Sequence, residues 1–236
     1  MIHQSPLNGR AFERGIPLLA QAGLRVVAVD TPGYGNSDGP TKVPTIEAYA
    51  NIYPQVLSGL GESSAHFLGH HTGARIICSI ASQYPELIRS PIFNGPVLLD
   101  DEEAKKYDAL HFGTEALHKD GSHLIQTWKK REHFTPGWTD TVAMHRRVVD
   151  MLWAGDHEWF GHYAAIKYPM LDDFMKLTSR AMIFINTGDM AYPMALKAKA
   201  LRPDMDYAEL EGGTHDIVDE KPEDWSKVIL DFIFGH

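Results

Sequence analysis

The chain has almost no cysteine: Cys78 stands alone among 236 residues. An intramolecular disulfide needs two and a thiolate metal cluster needs several, so both are excluded, and a cytoplasmic setting is the expectation that follows. Long apolar runs are missing as well. No stretch approaches the roughly 18 to 20 residues of a membrane-spanning helix, and the first residues carry no basic stretch followed by an apolar one. Clustered basic residues are also scarce. The 22 Lys and Arg are scattered against 31 Asp and Glu, giving a net charge of −9, which argues against a nucleic-acid or membrane partner. Internal repeats and low-complexity tracts are absent too. What remains is a chain, 44% apolar, long enough for one substantial core, whose expected partner is a small apolar molecule. A homodimer stays open.

The stretch Ala65-His66-Phe67-Leu68-Gly69-His70-His71-Thr72-Gly73-Ala74 organises the rest. A short apolar run ends in glycine, a residue projects from a tight corner, a second glycine follows, and Ala74 to Ile80 opens a helical pattern. This predicts strand, turn and helix, with His71 strained at the corner and small neighbours letting strand and helix close on each other. Alternating segments surround it. Arg10 to Ala22 has apolar residues at helical spacing closed by Gly23, Arg25 to Asp30 reads as a strand covered on both faces, and Thr45 to Leu60 reads as a helix capped by Thr45. Ile88 to Asn94, Arg180 to Asn186 and Asp206 to Glu211 read as further strands, and Lys221 to Phe234 as a closing amphipathic helix. Strands alternating with helices imply α/β class and a mainly parallel sheet. Cys78 falls on the apolar face of the helix after the corner, a buried thiol.

The spacing Gly69-x-His71-x-Gly73 resembles the nucleophile elbow of the α/β-hydrolase family, with histidine where that family carries serine. Two more loops strengthen the likeness. Asp30-Thr31-Pro32-Gly33-Tyr34-Gly35-Asn36-Ser37-Asp38 resembles the family's D-x-P-G-x-G-x-S-D loop, in which Asp38 can bond nearby backbone donors. Gly212-Gly213-Thr214-His215 resembles the loop that carries the family's catalytic base, so the resemblance implies that role for His215. Asp189, one residue after Gly188, is the candidate acid that orients it, with Asp100 as runner-up. His3-Gln4-Ser5-Pro6 resembles the family's His-Gly-x-Pro turn, which implies an oxyanion hole from the N–H groups of Ser5 and Thr72. Gln4 replaces the usual glycine there and is counted, with His3 and His70, on the substrate-binding side.

The resemblance divides the chain into a first core part (1–100), a helical lid (101–179) and a second core part (180–236). Aromatics and methionines crowd the middle segment, as suits a cover over an apolar substrate. His111, His118, His123, His133, His145, His157 and His162 lie there without any metal-ligand spacing. The family's sheet normally starts about two strands before the His3 turn, where this chain has only Met1 and Ile2.

Histidine at the elbow changes the chemistry. A neutral imidazole can attack an activated acyl group, or act as a base toward water or carbon while an oxyanion hole holds the developing charge. Two imidazoles in one pocket depress each other's protonation. The leading expectation is a hydrolase or acyl-transfer enzyme for a small apolar ester, lactone or carbonyl compound, using His71 and His215, with no cofactor and no metal. Its rivals are a lyase, isomerase or cyclase using the same pair for proton transfer, a non-catalytic ligand-binding relative, and a metal site built from His3, His71 and His215.

Overall fold

The computed structural model describes residues 1–108 and 112–235; His111 lies outside them. Four parallel strands, β1 (Ala65–His70), β2 (Ile88–Asn94), β3 (Met182–Asn186) and β4 (Asp206–Leu210), form a sheet in that order. Ile2 extends it beyond β1, bridging Gly69 on one side and Val29 on the other, so a narrow two-step edge continues the sheet. β1 and β2 are mostly buried because helices cover both their faces.

The helices, in chain order, are α1 (Gly15–Gln21), α2 (Ile46–Ala50), α3 (Tyr53–Leu60), α4 (Thr72–Gln83), α5 (Asp101–Asp108), α6 (Ser122–Phe134), α7 (Thr141–Trp153), α8 (Phe160–Lys167), α9 (Met170–Lys176), α10 (Tyr192–Leu201), α11 (Ile217–Glu220) and α12 (Pro222–Phe234). On one face of the sheet Trp225, Ile229 and Phe232 of α12 repeat at helical spacing and meet Phe12, Leu19 and Phe184. On the other, Ile76, Ile77 and Ile80 of α4 pack with Tyr49, Tyr53 and Phe93, and with Met170 and Phe174 of α9. Two helices of the middle segment thus belong to the main core. Buried Arg75 fixes them there, donating to the carbonyls of Ala165, Tyr168 and Val97. Between residues 101 and 179 every regular element described is helical.

Three local expectations need correction. Arg25 to Asp30 is not a covered strand: only Val29 bridges, its N–H donating to Met1 O at 3.1 Å, because the neighbouring chain offers a partner only at Met1 and Ile2. The helix over 45–60 is two helices. Thr45 caps the first, its Oγ1 accepting from Ala48 N–H at 3.2 Å, but Pro54 has no N–H to continue the ladder, and a second helix starts at Tyr53. In the glycine-rich loop it is Asp30, not exposed Asp38, whose carboxylate gathers backbone donors, taking Gly9 N–H at 2.7 Å and Asn36 N–H at 2.9 Å. Gly35 sits against that carboxylate, where a Cβ would overlap it.

Cys78 is buried with its thiol pushed up to about 12 by desolvation, an unreactive core group. No described helix is long and apolar enough to cross a membrane.

Candidate active site

β1 runs into a corner at His71, whose φ of 48° and ψ of −103° make it the only described non-glycine residue with positive φ. Such a backbone costs about 1–3 kcal/mol and persists only where the surroundings force it. Here they do. A Cβ on Gly69 would overlap the Gly73 carbonyl, and one on Gly73 would overlap the Ile2 carbonyl, so only glycines let β1, α4 and the Ile2 strand close together. His71 N–H is tied down by Asn94 O at 2.9 Å.

The other parts arrive from the carboxyl ends of neighbouring strands, where parallel sheets gather their ligand-binding loops. After β3 the chain turns so that Asp189 N–H reaches Asn186 O at 3.1 Å. The acid loop and the His215 loop touch directly: Asn186 Nδ2 donates to Gly212 O (3.2 Å) and Thr214 O (3.0 Å), and Gly188 leaves room for the Gly213 carbonyl. His71 and His215 lie face against face, with ring centroids 3.8 Å apart and planes 31° apart. Phe134 of α6 covers His215 at 5.5 Å.

Asp189, only 3% exposed, gives its Oδ2 to His71 Nε2 at 2.9 Å and its Oδ1 to Ala191 N–H at 2.7 Å. His215 Nδ1 stands 3.6 Å from Oδ1, beyond a hydrogen bond. Asp189 thus faces His215 as expected, but its short hydrogen bond goes to the elbow histidine, because an imidazole reaches across the pocket where a serine hydroxyl stops short. Asp100 does not compete, being paired with Lys197 at the surface (3.2 Å). His3 is also reassigned. Its Nε2 accepts from Thr31 N–H at 2.9 Å and its Nδ1 faces Gln4 O at 2.9 Å, so no ring nitrogen is left for a substrate or metal. Gln4 is buried but turns its Nε2 to Asp216 Oδ1 at 3.2 Å. Ser5 and Thr72 are buried, Thr72 directly after the corner, and no described acceptor takes either backbone N–H. His70, at the end of β1, lies 4.4 Å from His71 and 6.0 Å from His215, centroid to centroid.

A family model described as alpha/beta hydrolase fold matches residues 1–222. The chain belongs to the α/β-hydrolase fold family. A bromoperoxidase from Bacillus anthracis has a similar structure, with a TM-score of 0.78 at 22% identity over 98% of this chain and 90% of that one. The 2-(acetamidomethylene)succinate hydrolase of Mesorhizobium japonicum is 26% identical over 98% of this chain and 86% of its own length. Bifunctional epoxide hydrolase 2 of Sus scrofa is 37% identical, over 38% of this chain and 17% of its own length. The chain thus spans less than a fifth of that relative.

For this member of the family, burial sets the electrostatics. Desolvation, helped by neighbouring His71, holds His215 down to about 4, and burial with His71 and His215 beside it holds His70 well below 6.5. Burial alone would raise the Asp189 carboxyl, but His71 and His215 outweigh it and hold it well below the ordinary carboxylate range. An ionised carboxylate only accepts hydrogen bonds. Hence His71 donates from Nε2 to that carboxylate, which fixes the orientation of the ring.

Two groups near the site were not singled out from sequence. Gly95 follows β2 with a positive φ of 64°, and a Cβ there would press on the His71 ring at 2.8 Å. Arg131 of α6 donates from Nε to Asp216 Oδ2 at 2.9 Å, next to His215. Gly95 could have been suspected from its place after a strand; nothing in the sequence pairs Arg131 with Asp216. An apolar cavity of about 350 Å³ lies elsewhere, against the uncovered Val26 to Val29 edge, and none of His70, His71, Asp189 or His215 lines it. The site itself is nearly closed, with the His71 side chain 8% exposed and that of His215 16%.

Proposed function

We propose that the protein is a hydrolase of small apolar esters, lactones or related carbonyl compounds in which His71 is the base, oriented by Asp189. The observation that carries this reading is the 2.9 Å bond from His71 Nε2 to the Asp189 carboxylate at a backbone corner that presents the imidazole to the pocket. His71 Nδ1 takes a proton from water, the hydroxide attacks the carbonyl carbon, and the N–H groups of Ser5 and Thr72 receive the negative oxygen. The same Nδ1 then returns the proton to the leaving oxygen. His215, neutral and packed on His71, holds the water. Helices α6 and α7 act as the cover, and Phe134 moves aside for substrate.

The test uses a serine-directed fluorophosphonate. Wild type offers no hydroxyl at the corner and stays unlabelled there, whereas His71→Ser places one in front of His215 and becomes labelled. A folded His71→Ser protein that stays inert to the probe would show that the Ser5 and Thr72 donors do not form an oxyanion hole.

A further inference from the structure

His70 is the buried group that the hydrolytic scheme leaves idle. It is 1% exposed, and neither of its ring nitrogens meets a hydrogen-bond partner among the described residues. Buried polar atoms in native interiors are almost always satisfied, so an imidazole with two orphaned nitrogens asks for a ligand. His215 Nδ1 is buried without a hydrogen bond, 3.6 Å from Asp189 Oδ1. The two flank a carboxylate. His70, His71 and Asp189 each offer a ligand atom, all within 4.8 Å of one another, and all three residues are buried.

We propose that this cluster binds one divalent transition-metal ion of the zinc class through His70, His71 and Asp189, with His215 facing an open coordination position. Two imidazole nitrogens with one carboxylate oxygen suit Zn²⁺, Co²⁺ or Ni²⁺ and do not suit Ca²⁺ or Mg²⁺, which take oxygen shells. Ligand bonds of about 2.0–2.2 Å place tetrahedral ligand atoms about 3.3–3.6 Å apart, so atoms already within 4.8 Å of one another need only a small inward shift. The ion replaces the His71–Asp189 hydrogen bond and satisfies His70 at once. Arg131, whose charge reaches His70, is paired with Asp216.

Only the ion's role, not its binding, rests on the hydrolase reading. With His71 as a ligand it would no longer be the base of the scheme above; His215 would be the imidazole left to accept the proton and return it to the leaving oxygen, and the ion would supply Lewis-acid activation of water and carbonyl. The metal then supplies the nucleophile that the elbow lacks.

The experiment titrates chelator-treated full-length protein with Co²⁺ alone, followed by absorbance and calorimetry, and then with competing Zn²⁺. One equivalent binding with the visible bands of a tetrahedral site, displaced by Zn²⁺, supports the proposal. His70→Gln and Asp189→Asn should each weaken binding at least 100-fold, while His133→Gln and His123→Gln, altering histidines outside the cluster, leave it unchanged. Binding that survives His70→Gln overturns the site, as does weak adventitious binding only. If His70→Gln does not fold, Co²⁺-induced shifts of the His70 and His71 ring protons in wild type decide, and their absence overturns it. Ester turnover without Co²⁺ binding defeats the metal site alone. Co²⁺ binding at His70 without ester turnover defeats the hydrolase reading alone.

Discussion

At the scale of single residues, the corner carries the most information. Two substitutions separate its strain from its chemistry. His71→Gly and His71→Ala both delete the imidazole and its bond to Asp189, but only glycine accepts φ of 48° and ψ of −103° at no steric cost. The glycine variant should therefore be the more stable of the two by about 1–2 kcal/mol in urea unfolding. Equal stability would mean the corner is unstrained. The corner itself was legible in sequence because its cause is local: two glycines at fixed spacing around a projecting residue. The partner of Asp189 was not. That choice depends on side-chain reach across the pocket, and motif order places His215 and Asp189 in one loop cluster without saying which imidazole is closer. His3 shows the same limit, since its commitment to Thr31 and Gln4 is made by backbone atoms that no motif names.

At the scale of elements, α6 and α7 are held by charge as well as by packing. Arg131 of α6 and Arg147 of α7 both reach the start of α11, Arg131 to Asp216 and Arg147 to Asp219 at 2.6 Å, and Arg10 meets Asp150 of α7 at 3.1 Å. Burial would raise the Asp216 carboxyl, but Arg131 and Arg147 outweigh it and keep it low. Removing one member leaves an uncompensated buried charge. Arg131→Ala should cost about 3–5 kcal/mol of stability and loosen the His215 loop, read by urea unfolding and by amide exchange at Thr214 and His215. A loss below about 1 kcal/mol would mean the pair is solvated rather than buried. The apolar strands and amphipathic helices were readable from periodicity, which is why β2, β4 and α12 stand where the pattern put them. The break at Pro54 was also visible and should have divided the helix over 45–60. The edge at Val29 was not, because strand character there depends on how much partner chain lies alongside.

At the scale of the whole molecule, interior histidines couple folding to pH. His3 is 1% exposed, and burial pushes it down to about 4, as befits a ring whose Nε2 must accept from Thr31 N–H. Its folded value lies below the ordinary 6.5, so the unfolded chain binds the proton first. The stability from neutral His3 is complete above pH 6.5 and drains away as pH falls toward 4, by roughly 3 kcal/mol for this one group. Urea midpoints over that range should fall in wild type and fall less steeply, by one proton, in His3→Gln; identical slopes would mean His3 is not the buried acceptor described. The fold is shared across the family, and its identity is written in three loops spread along the chain. What the molecule does with a histidine at the elbow depends on the contacts of that ring. The most direct measurement is kcat/KM for p-nitrophenyl acetate in wild type and His71→Ala, with folding matched by circular dichroism. An oriented base is worth about 10² to 10⁴ in rate, so the alanine variant should lose that much. Undiminished turnover in a folded His71→Ala protein would contradict the assignment of His71 as the working residue.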